Sequence, residues 1–155
     1  MQKTDYELIG KQLQALSEDV EYEITLLANA SALLYEVLPD LNWAGFYLYR
    51  NGMLLLGPFQ GKAACTKIAM GRGVCGTAAE KDRTELVYDV HQFAGHIACD
   101  SASNSELVIP LHKNGALYGV LDLDSPKIGR FTEEDRSGLE KFAAILEAAL
   151  GGGEA

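Results

Sequence analysis

The sequence predicts an α+β domain with a central antiparallel β-sheet of five or six strands, flanked by helices near the N- and C-termini. Two observations carry this prediction. Apolar residues recur at helical spacing near both ends of the chain, and the middle contains two pairs of strand-like runs, each joined at Asn-Gly. The length of 155 residues suits one domain over 1–150, followed by a short disordered tail at 151–155.

Composition narrows the classes of function. The net charge is −9, and the 13 lysines and arginines are scattered along the chain, so nucleic acid is not an expected partner. The N-terminal residues carry charges throughout, and no apolar stretch is long enough to cross a bilayer. We therefore expect a soluble, cytoplasmic protein that does not associate with membranes. The three cysteines are odd in number, so at least one thiol stays unpaired.

The N-terminal part of the chain predicts two helices. Residues 5–16 can form a short first helix. A second helix is predicted by a better-marked apolar stripe, with Ser17 or Asp19 as its N-cap and Pro39 ending it. The residues of that stripe are Val20, Ile24, Leu27, Leu34 and Leu38.

The C-terminal helix is predicted to begin at Thr132, with Asp135 as a capping-box-like partner three residues later. Its apolar face should cover the sheet. The residues of that face are Leu139, Phe142, Leu146 and Leu150.

The first predicted hairpin is "NWAGFYLYRNGMLLLGPF", which turns at Asn51-Gly52 because both residues tolerate positive φ. Trp43 and Tyr47 lie on one face of its first strand, with Gly45 between them. The missing side chain at Gly45 predicts a gap that could hold a methyl-sized apolar group.

The second predicted hairpin is "ELVIPLHKNGALYGVLDLDS". A three-residue loop, 113–115, would pair Leu111 with Leu117 and bring the apolar faces of both strands together. In that register Glu106 lies opposite Asp122, and Asp124 follows on the same face about 7 Å further along the strand.

Three carboxylates on one sheet face would repel one another if all were ionised. Either a cation lies among them, or at least one of them is kept protonated. The plainer interpretation is a solvent-exposed sheet edge. Residues 89–105 argue against an exposed edge and for a buried cluster, because a long aperiodic segment beside that face is typical of a functional loop.

Cys99 lies in that segment, within "HIACDSASNSELVIP". Free cysteines often pack as small apolar residues, but these surroundings are too polar for a core strand and indicate a functional thiol. Zinc binding by His91, His96 and Cys99 is disfavoured, because the spacing is irregular and only one cysteine is present. Cys65 and Cys75, taken singly, resemble packing residues, although either could form a disulfide with Cys99.

Four segments carry a resemblance to a known family: "NWAGFYLY", "GRGVCGTAAE", "VYDVHQFAGHIACDSASNSELVIPL" and "GVLDLDSP". Together they closely resemble the free methionine-(R)-sulfoxide reductases, a family of GAF-domain enzymes. The resemblance runs from about residue 20 to residue 147. It implies a GAF-like fold and reduction of free, not peptide-bound, methionine-(R)-sulfoxide, with thioredoxin as the external reductant.

The resemblance also implies roles for individual residues. Cys99 would attack the substrate, Cys65 would resolve the intermediate as a disulfide, and Cys75 would be auxiliary. The implied substrate-binding residues are Trp43, Tyr47, Glu106, Asp122 and Asp124.

The mechanism expected from these residues begins with the Cys99 thiolate, which attacks the sulfoxide sulfur and becomes a sulfenic acid. Glu106 or Asp124 would donate the proton, while Asp122 and the remaining carboxylate would stay ionised and bind the substrate ammonium. The thiols supply both electrons, so we expect no metal and no cofactor.

Two other classes of function remain open, a GAF sensor that binds a small molecule without catalysis and a thiol redox switch without a substrate. A homodimer formed through the N-terminal helices is a further possibility for which the sequence gives no direct sign.

Overall fold

A computed structural model describes residues 3–96 and 102–151, and it contains the predicted α+β architecture. Four α-helices accompany a six-stranded antiparallel sheet. The helices are α1 (Tyr6–Ser17), α2 (Glu23–Val37), α3 (Gly73–Lys81) and α4 (Glu133–Gly151). The strands are β1 (Trp43–Arg50), β2 (Met53–Gly61), β3 (Lys67–Ala69), β4 (Glu85–Val87), β5 (Ser105–Lys113) and β6 (Ala116–Ser125). A 3₁₀ turn at Val90–Gln92 follows β4.

The sheet order β3-β2-β1-β6-β5-β4 places β1 and β6 at the centre. One sheet face packs against α2 and α4, which α1 covers in turn, and these elements form the main apolar core. The opposite face packs against α3 and forms a smaller core around Trp43, Tyr47 and Val108. Among the described residues, no helix combines the length and apolar character needed to cross a bilayer.

The start of α2 differs from the prediction. The helix begins at Glu23 after Tyr22, without a side-chain cap, so neither Ser17 nor Asp19 caps it. Ser17 instead ends α1 and donates a hydrogen bond to the Leu13 carbonyl, while Asp19 takes a left-handed φ of 60° in the turn between the helices. The apolar residue Val20 therefore precedes the helix.

The start of α4 matches the prediction. The Thr132 amide donates to Asp135 Oδ2 at 2.9 Å, and the Asp135 amide donates to Thr132 Oγ1 at 3.2 Å, which is a reciprocal capping box. Asp135 also accepts a hydrogen bond from the Tyr6 hydroxyl, which ties α1 to α4. The helix continues to Gly151, one residue beyond the predicted domain end, and residues 152–155 lie outside the described part of the chain.

The first hairpin confirms its predicted turn. Arg50 pairs with Met53, and Asn51 and Gly52 both have positive φ, 53° and 77°, as a two-residue type I′ turn requires. Further along, the β1–β2 register shifts at Gly57 and Pro58. This bulge accommodates a proline inside the sheet, where its missing N–H would otherwise break the ladder.

The predicted register of the second hairpin is wrong. Its turn has two residues, Asn114 and Gly115, and Tyr118 is then an extra residue in β6, because His112 pairs with Leu117 while Leu111 pairs with Gly119. A two-residue turn alone would set apolar residues against polar ones. The bulge at Tyr118 corrects this mismatch by one residue.

As a result Glu106 pairs with Asp124, not with Asp122, which lies opposite Val108. Leu117 turns to the α3 side of the sheet, away from the main core that it was expected to join. The apolar faces of the remaining residues still coincide, since Leu107 pairs with Leu123 and both lie in the main core.

Candidate active site

The α3 side of the sheet carries a buried cluster of three carboxylates at one end of β5 and β6. Glu106, Asp122 and Asp124 are exposed by only 8%, 5% and 9% of their surface. All three alternate along their strands with residues of the main core, so their side chains lie on the opposite face, with α3. The solvent-exposed sheet edge considered from the sequence is therefore excluded.

The protonation of this cluster follows from its burial. Burial raises the pKa of Glu106 well above its usual range, and the neighbouring charges of Asp122 and Asp124 raise it further. Burial also raises the pKa of Asp122, which runs against the expectation that this residue simply stays ionised. Hydrogen bonds that Asp122 accepts from Glu106, Cys75 and Asp124 work in the opposite direction, so Glu106 holds its proton more firmly than Asp122.

Cys75 brings a thiol to the same cluster from the first turn of α3. Gly76 allows this approach, because a β-carbon there would lie 2.5 Å from the Ala69 carbonyl oxygen. Cys75 Sγ lies 3.8 Å from Glu106 Oε2, and the residue is a buried, free thiol. Burial, followed by the charges of Asp122 and Glu106, raises the pKa of this thiol well above its usual value.

Three aromatic rings form the wall beside the acids. Trp43 stacks on Tyr47 with ring centroids 5.9 Å apart and on Phe59 at 5.1 Å. The predicted methyl-sized gap over Gly45 is wrong, because a β-carbon at that position would lie 2.3 Å from the Phe59 β-carbon. Gly45 instead permits the close approach of β2, which supplies the third ring.

The two aromatic residues of β1 also hold the segment between β2 and β3, which carries Cys65. The Tyr47 hydroxyl donates to the Cys65 carbonyl at 2.9 Å, and Trp43 Nε1 donates to the Lys62 carbonyl at 3.1 Å. Burial raises the pKa of Tyr47 far above its usual value, so its hydroxyl remains a donor. Cys65 is disulfide-bonded. Cys99 lies outside the described residues.

A pocket of about 50 Å³ opens between the aromatic wall, the acids and the start of α3. Trp43, Tyr47, Cys75 and all three acids line it, whereas Cys65 lies nearby on the segment held by Tyr47. The pocket is also lined by residues to which the sequence assigned no part in substrate binding, and these include Ile68, Arg72, Val74, His96 and Ser103. The segment "GRGVCGTAAE" of the family resemblance contains Arg72 and Val74, but no spacing in the sequence brings them to the pocket.

The His91 and His96 rings lie edge to face, with centroids 6.1 Å apart. His91 Nε2 lies 2.8 Å from Asn104 Oδ1, so this ring already has a hydrogen-bond partner. Burial and His91 lower the pKa of His96, so His96 stays neutral at physiological pH.

Comparison with known proteins identifies the family. The GAF domain family model matches residues 14–150. A protein of Escherichia coli (strain K12) named free methionine-R-sulfoxide reductase is 52% identical over 151 residues, which cover 97% of this chain and 92% of that protein. The chain belongs to the GAF family, among the free methionine-R-sulfoxide reductases.

Two solved structures of free methionine-R-sulfoxide reductases have the same fold. The Staphylococcus aureus enzyme, described as a complex with substrate, is 48% identical, with a TM-score of 0.92 and coverage of 97% of this chain and 99% of that chain. The Neisseria meningitidis enzyme, in complex with its substrate, is 40% identical, with a TM-score of 0.91 and coverage of 97% and 93%. The family resemblance noted in the sequence is thereby confirmed.

Proposed function

We propose that this chain reduces free L-methionine-(R)-S-oxide to L-methionine. The observation that carries the proposal is the pocket itself, in which buried carboxylates with raised pKa values face an aromatic wall beside a segment that holds a disulfide-bonded cysteine. The relatives named for this activity, two of them described with substrate bound, support the same conclusion.

Recognition of a free amino acid follows from the carboxylates. An α-ammonium group would offset the negative charge of the acids and would give Asp122 Oδ1 a hydrogen bond that it lacks among the described residues. A peptide-bound methionine sulfoxide has a neutral amide at that position and cannot do this. The indole ring of Trp43 would contact the substrate methyl group, and Tyr47 would extend the same wall.

The first chemical step is assigned to Cys99. Its thiolate attacks the sulfoxide sulfur, and the sulfoxide oxygen is transferred to the cysteine as a sulfenic acid while methionine leaves. The substrate sulfur gains two electrons and the cysteine sulfur loses two. A proton is needed at the oxygen as the S–O bond of the substrate breaks.

Glu106 is the proposed proton donor, in preference to Asp124. Burial, the charges of Asp122 and Asp124, and the hydrogen bonds to both all raise the pKa of Glu106 and favour its protonated form. Asp122 accepts hydrogen bonds from its neighbours and is the better partner for the substrate ammonium. Asp124 pairs with Glu106 across the strands. Its charge raises the pKa of Glu106 and would also attract the substrate ammonium.

Cys65 is the proposed resolving residue. Its thiol condenses with the Cys99 sulfenic acid, which forms a disulfide and releases water. Cys65 is disulfide-bonded, as a resolving cysteine is after turnover, whereas Cys75 is a free thiol. The dithiol of thioredoxin then reduces this disulfide and restores both thiols.

The electron balance of this cycle requires no bound metal or cofactor, because thiols supply every electron. A cytoplasmic location suits the cycle, since thioredoxin keeps thiols reduced in that compartment. Formation of a homodimer remains a prediction.

The test is turnover with thioredoxin, thioredoxin reductase and NADPH. We expect NADPH oxidation with free methionine-(R)-sulfoxide, and none above background with the (S) epimer or with N-acetylmethionine-(R)-sulfoxide. Cys99→Ser should abolish methionine formation, whereas Cys65→Ser should allow one turnover and block recycling.

Tight binding of the sulfoxide without turnover would refute the proposal and favour a sensor. Oxidation of the thiols by peroxide with no binding of the sulfoxide would favour a redox switch instead. Recycling that survives Cys65→Ser would show that Cys65 is not the resolving residue.

A further inference from the structure

One buried thiol has no part in the proposed reaction. Cys75 lies at the floor of the pocket with Glu106 and Asp122, and these residues are exposed by 4%, 8% and 5%. One potential ligand atom from each of the three lies within 4.8 Å of the other two. A thiol and two carboxylates therefore converge on one point from α3, β5 and β6.

A second observation indicates that this point is built for a cation. Asp122 Oδ1 is fully buried and has no hydrogen-bond partner among the described residues. Buried acceptors are nearly always satisfied, and an unsatisfied carboxylate oxygen is especially costly. The neighbours of Asp122 are also acidic, so a cation placed among them would both satisfy this oxygen and offset their charge.

We propose that Cys75, Glu106 and Asp122 form a zinc-binding site that blocks the substrate pocket. Zinc accepts a mixed set of thiolate and carboxylate ligands, whereas magnesium and calcium prefer oxygen ligands alone. Tetrahedral bonds to one sulfur and one oxygen would place these atoms about 3.6 Å apart. The Cys75 Sγ to Glu106 Oε2 distance of 3.8 Å is close to this value.

The coordination would displace the protons that burial now favours on these groups. Zinc affinity should therefore rise with pH, because each ligand must be deprotonated to bind the ion. The fourth position opens to the pocket and can be filled by water, as in zinc sites that keep an exchangeable ligand.

Occupation by zinc has a direct consequence for substrate binding. The ion would lie at the place assigned above to the substrate α-ammonium, so zinc and substrate would exclude each other. This consequence rests on the proposed function, whereas the metal site itself does not.

The experiment uses the oxidised protein, in which Cys65 is disulfide-bonded and Cys75 supplies the thiol. Cobalt(II) is added as a spectroscopic probe for zinc. We expect one equivalent to bind, with tetrahedral visible bands and a thiolate-to-cobalt charge-transfer band in the near ultraviolet, and zinc should abolish both.

Cys75→Ser should remove the charge-transfer band and weaken cobalt binding at least tenfold. Asp122→Asn provides a second variant and should weaken binding while keeping the thiolate band. His91→Gln is the matched control, because it alters the neighbouring histidine pair and should change neither quantity. Circular dichroism of each variant verifies its fold.

Absence of the charge-transfer band, or a band that survives Cys75→Ser, would overturn the proposal, as would loss of cobalt binding in His91→Gln. In a steady-state assay zinc should raise the KM for the sulfoxide at least tenfold without lowering kcat. A thiolate band in a protein without reductase activity would leave the metal site standing and refute the proposed function. Reductase activity without the thiolate band would support the proposed function and refute the metal site.

Discussion

Replacing Glu106 by glutamine removes the acidic proton of this residue while keeping the size and shape of its side chain. The glutamate is buried and its pKa is raised well above the usual range, first by burial and then by Asp122 and Asp124. The exchange therefore replaces a carboxyl group whose protonated form is favoured by an uncharged amide of nearly the same shape. Glutamine cannot give up a proton, so Glu106→Gln should fold normally and lose the acid-catalysed step.

The expected loss can be estimated from the role of the residue. A positioned general acid contributes about 10²–10⁴-fold in rate, which corresponds to about 3–5 kcal/mol of barrier. The effect should appear in kcat for methionine formation, with little change in KM, because Asp122 still binds the ammonium group. Asp122→Asn should give the opposite result, with KM raised more than kcat is lowered.

Glu106→Gln should also change how the stability of the protein depends on pH. The pKa of Glu106 is higher in the folded protein than its value of about 4.3 in the unfolded chain. The contribution of this group to stability is therefore fully present below about pH 4.3, and it is lost as the pH rises through the folded pKa. While only the folded state keeps the proton, the loss is at most about 1.4 kcal/mol per pH unit. Glu106→Gln lacks this dependence.

Urea unfolding at pH 5 and pH 8 measures the effect. The wild-type free energy of unfolding should fall relative to that of the variant between the two values. A kcat within tenfold of wild type, or an unchanged difference in stability between the two pH values, would refute the reasoning that Glu106 carries a proton needed for catalysis.

Three further changes test other parts of the structure. Gly45→Ala would force a β-carbon to within 2.3 Å of Phe59 and should lower the free energy of unfolding by at least about 1–3 kcal/mol, measured by urea denaturation. Tyr47→Phe removes the hydrogen bond to the Cys65 carbonyl and should slow disulfide formation by about two- to tenfold in quenched-flow thiol assays, with the first turnover to methionine unchanged. Although burial lowers the pKa of His112, hydrogen bonds to two carboxylates raise it overall, so these contacts stabilise fully below about pH 6.5 and their contribution is lost as pH rises through the folded pKa. The difference in Tm between wild type and His112→Gln should therefore be larger at pH 5.5 than at pH 9, by at most about 2–4 °C, because the side chains are partly exposed.

Two of these changes have a matched control. Gly57→Ala places a β-carbon 3.2 Å from both Leu48 Cγ and the Phe46 carbonyl oxygen, a milder overlap than the 2.3 Å at Gly45, so it should destabilise less than Gly45→Ala. Tyr118→Phe removes a hydroxyl bonded to Glu23, far from the pocket, and should leave disulfide formation unchanged. A Tm difference for His112→Gln that does not vary with pH would contradict the assigned role of its charge.

Local signals in the sequence were sufficient for most of the elements. Asn51-Gly52 identified its turn because positive φ restricts which residues can occupy such positions. Thr132 and Asp135 identified the start of α4 because the two side chains and two amides satisfy one another without help from the rest of the fold. The three-residue strand β3 carried no comparable signal, since its pairing to β2 depends on the neighbouring strand.

The candidate site was predictable in its composition but not in its geometry. Period-two alternation sufficed to place Glu106, Asp122 and Asp124 on one face. Their pairing depended on Tyr118, whose place outside the ladder no local pattern indicated. The thiol of Cys75 reaches the acids through the packing of α3 on β5 and β6. Contacts of this kind between distant segments cannot be inferred from the spacing of residues.

The extra residue at Tyr118 also affects how this chain can be compared with its relatives. Its removal would leave Leu117 paired with His112 and Gly119 paired with Leu111, so the ladder on either side would be unchanged. A one-residue gap in an alignment at this position should therefore keep the register, at the cost of a ring that is buried in the main core and bonded to Glu23. A gap of the same size at Val120, inside the regular ladder, would turn Asp122 and Asp124 to the other face of the sheet, and such a homologue should have lost the activity.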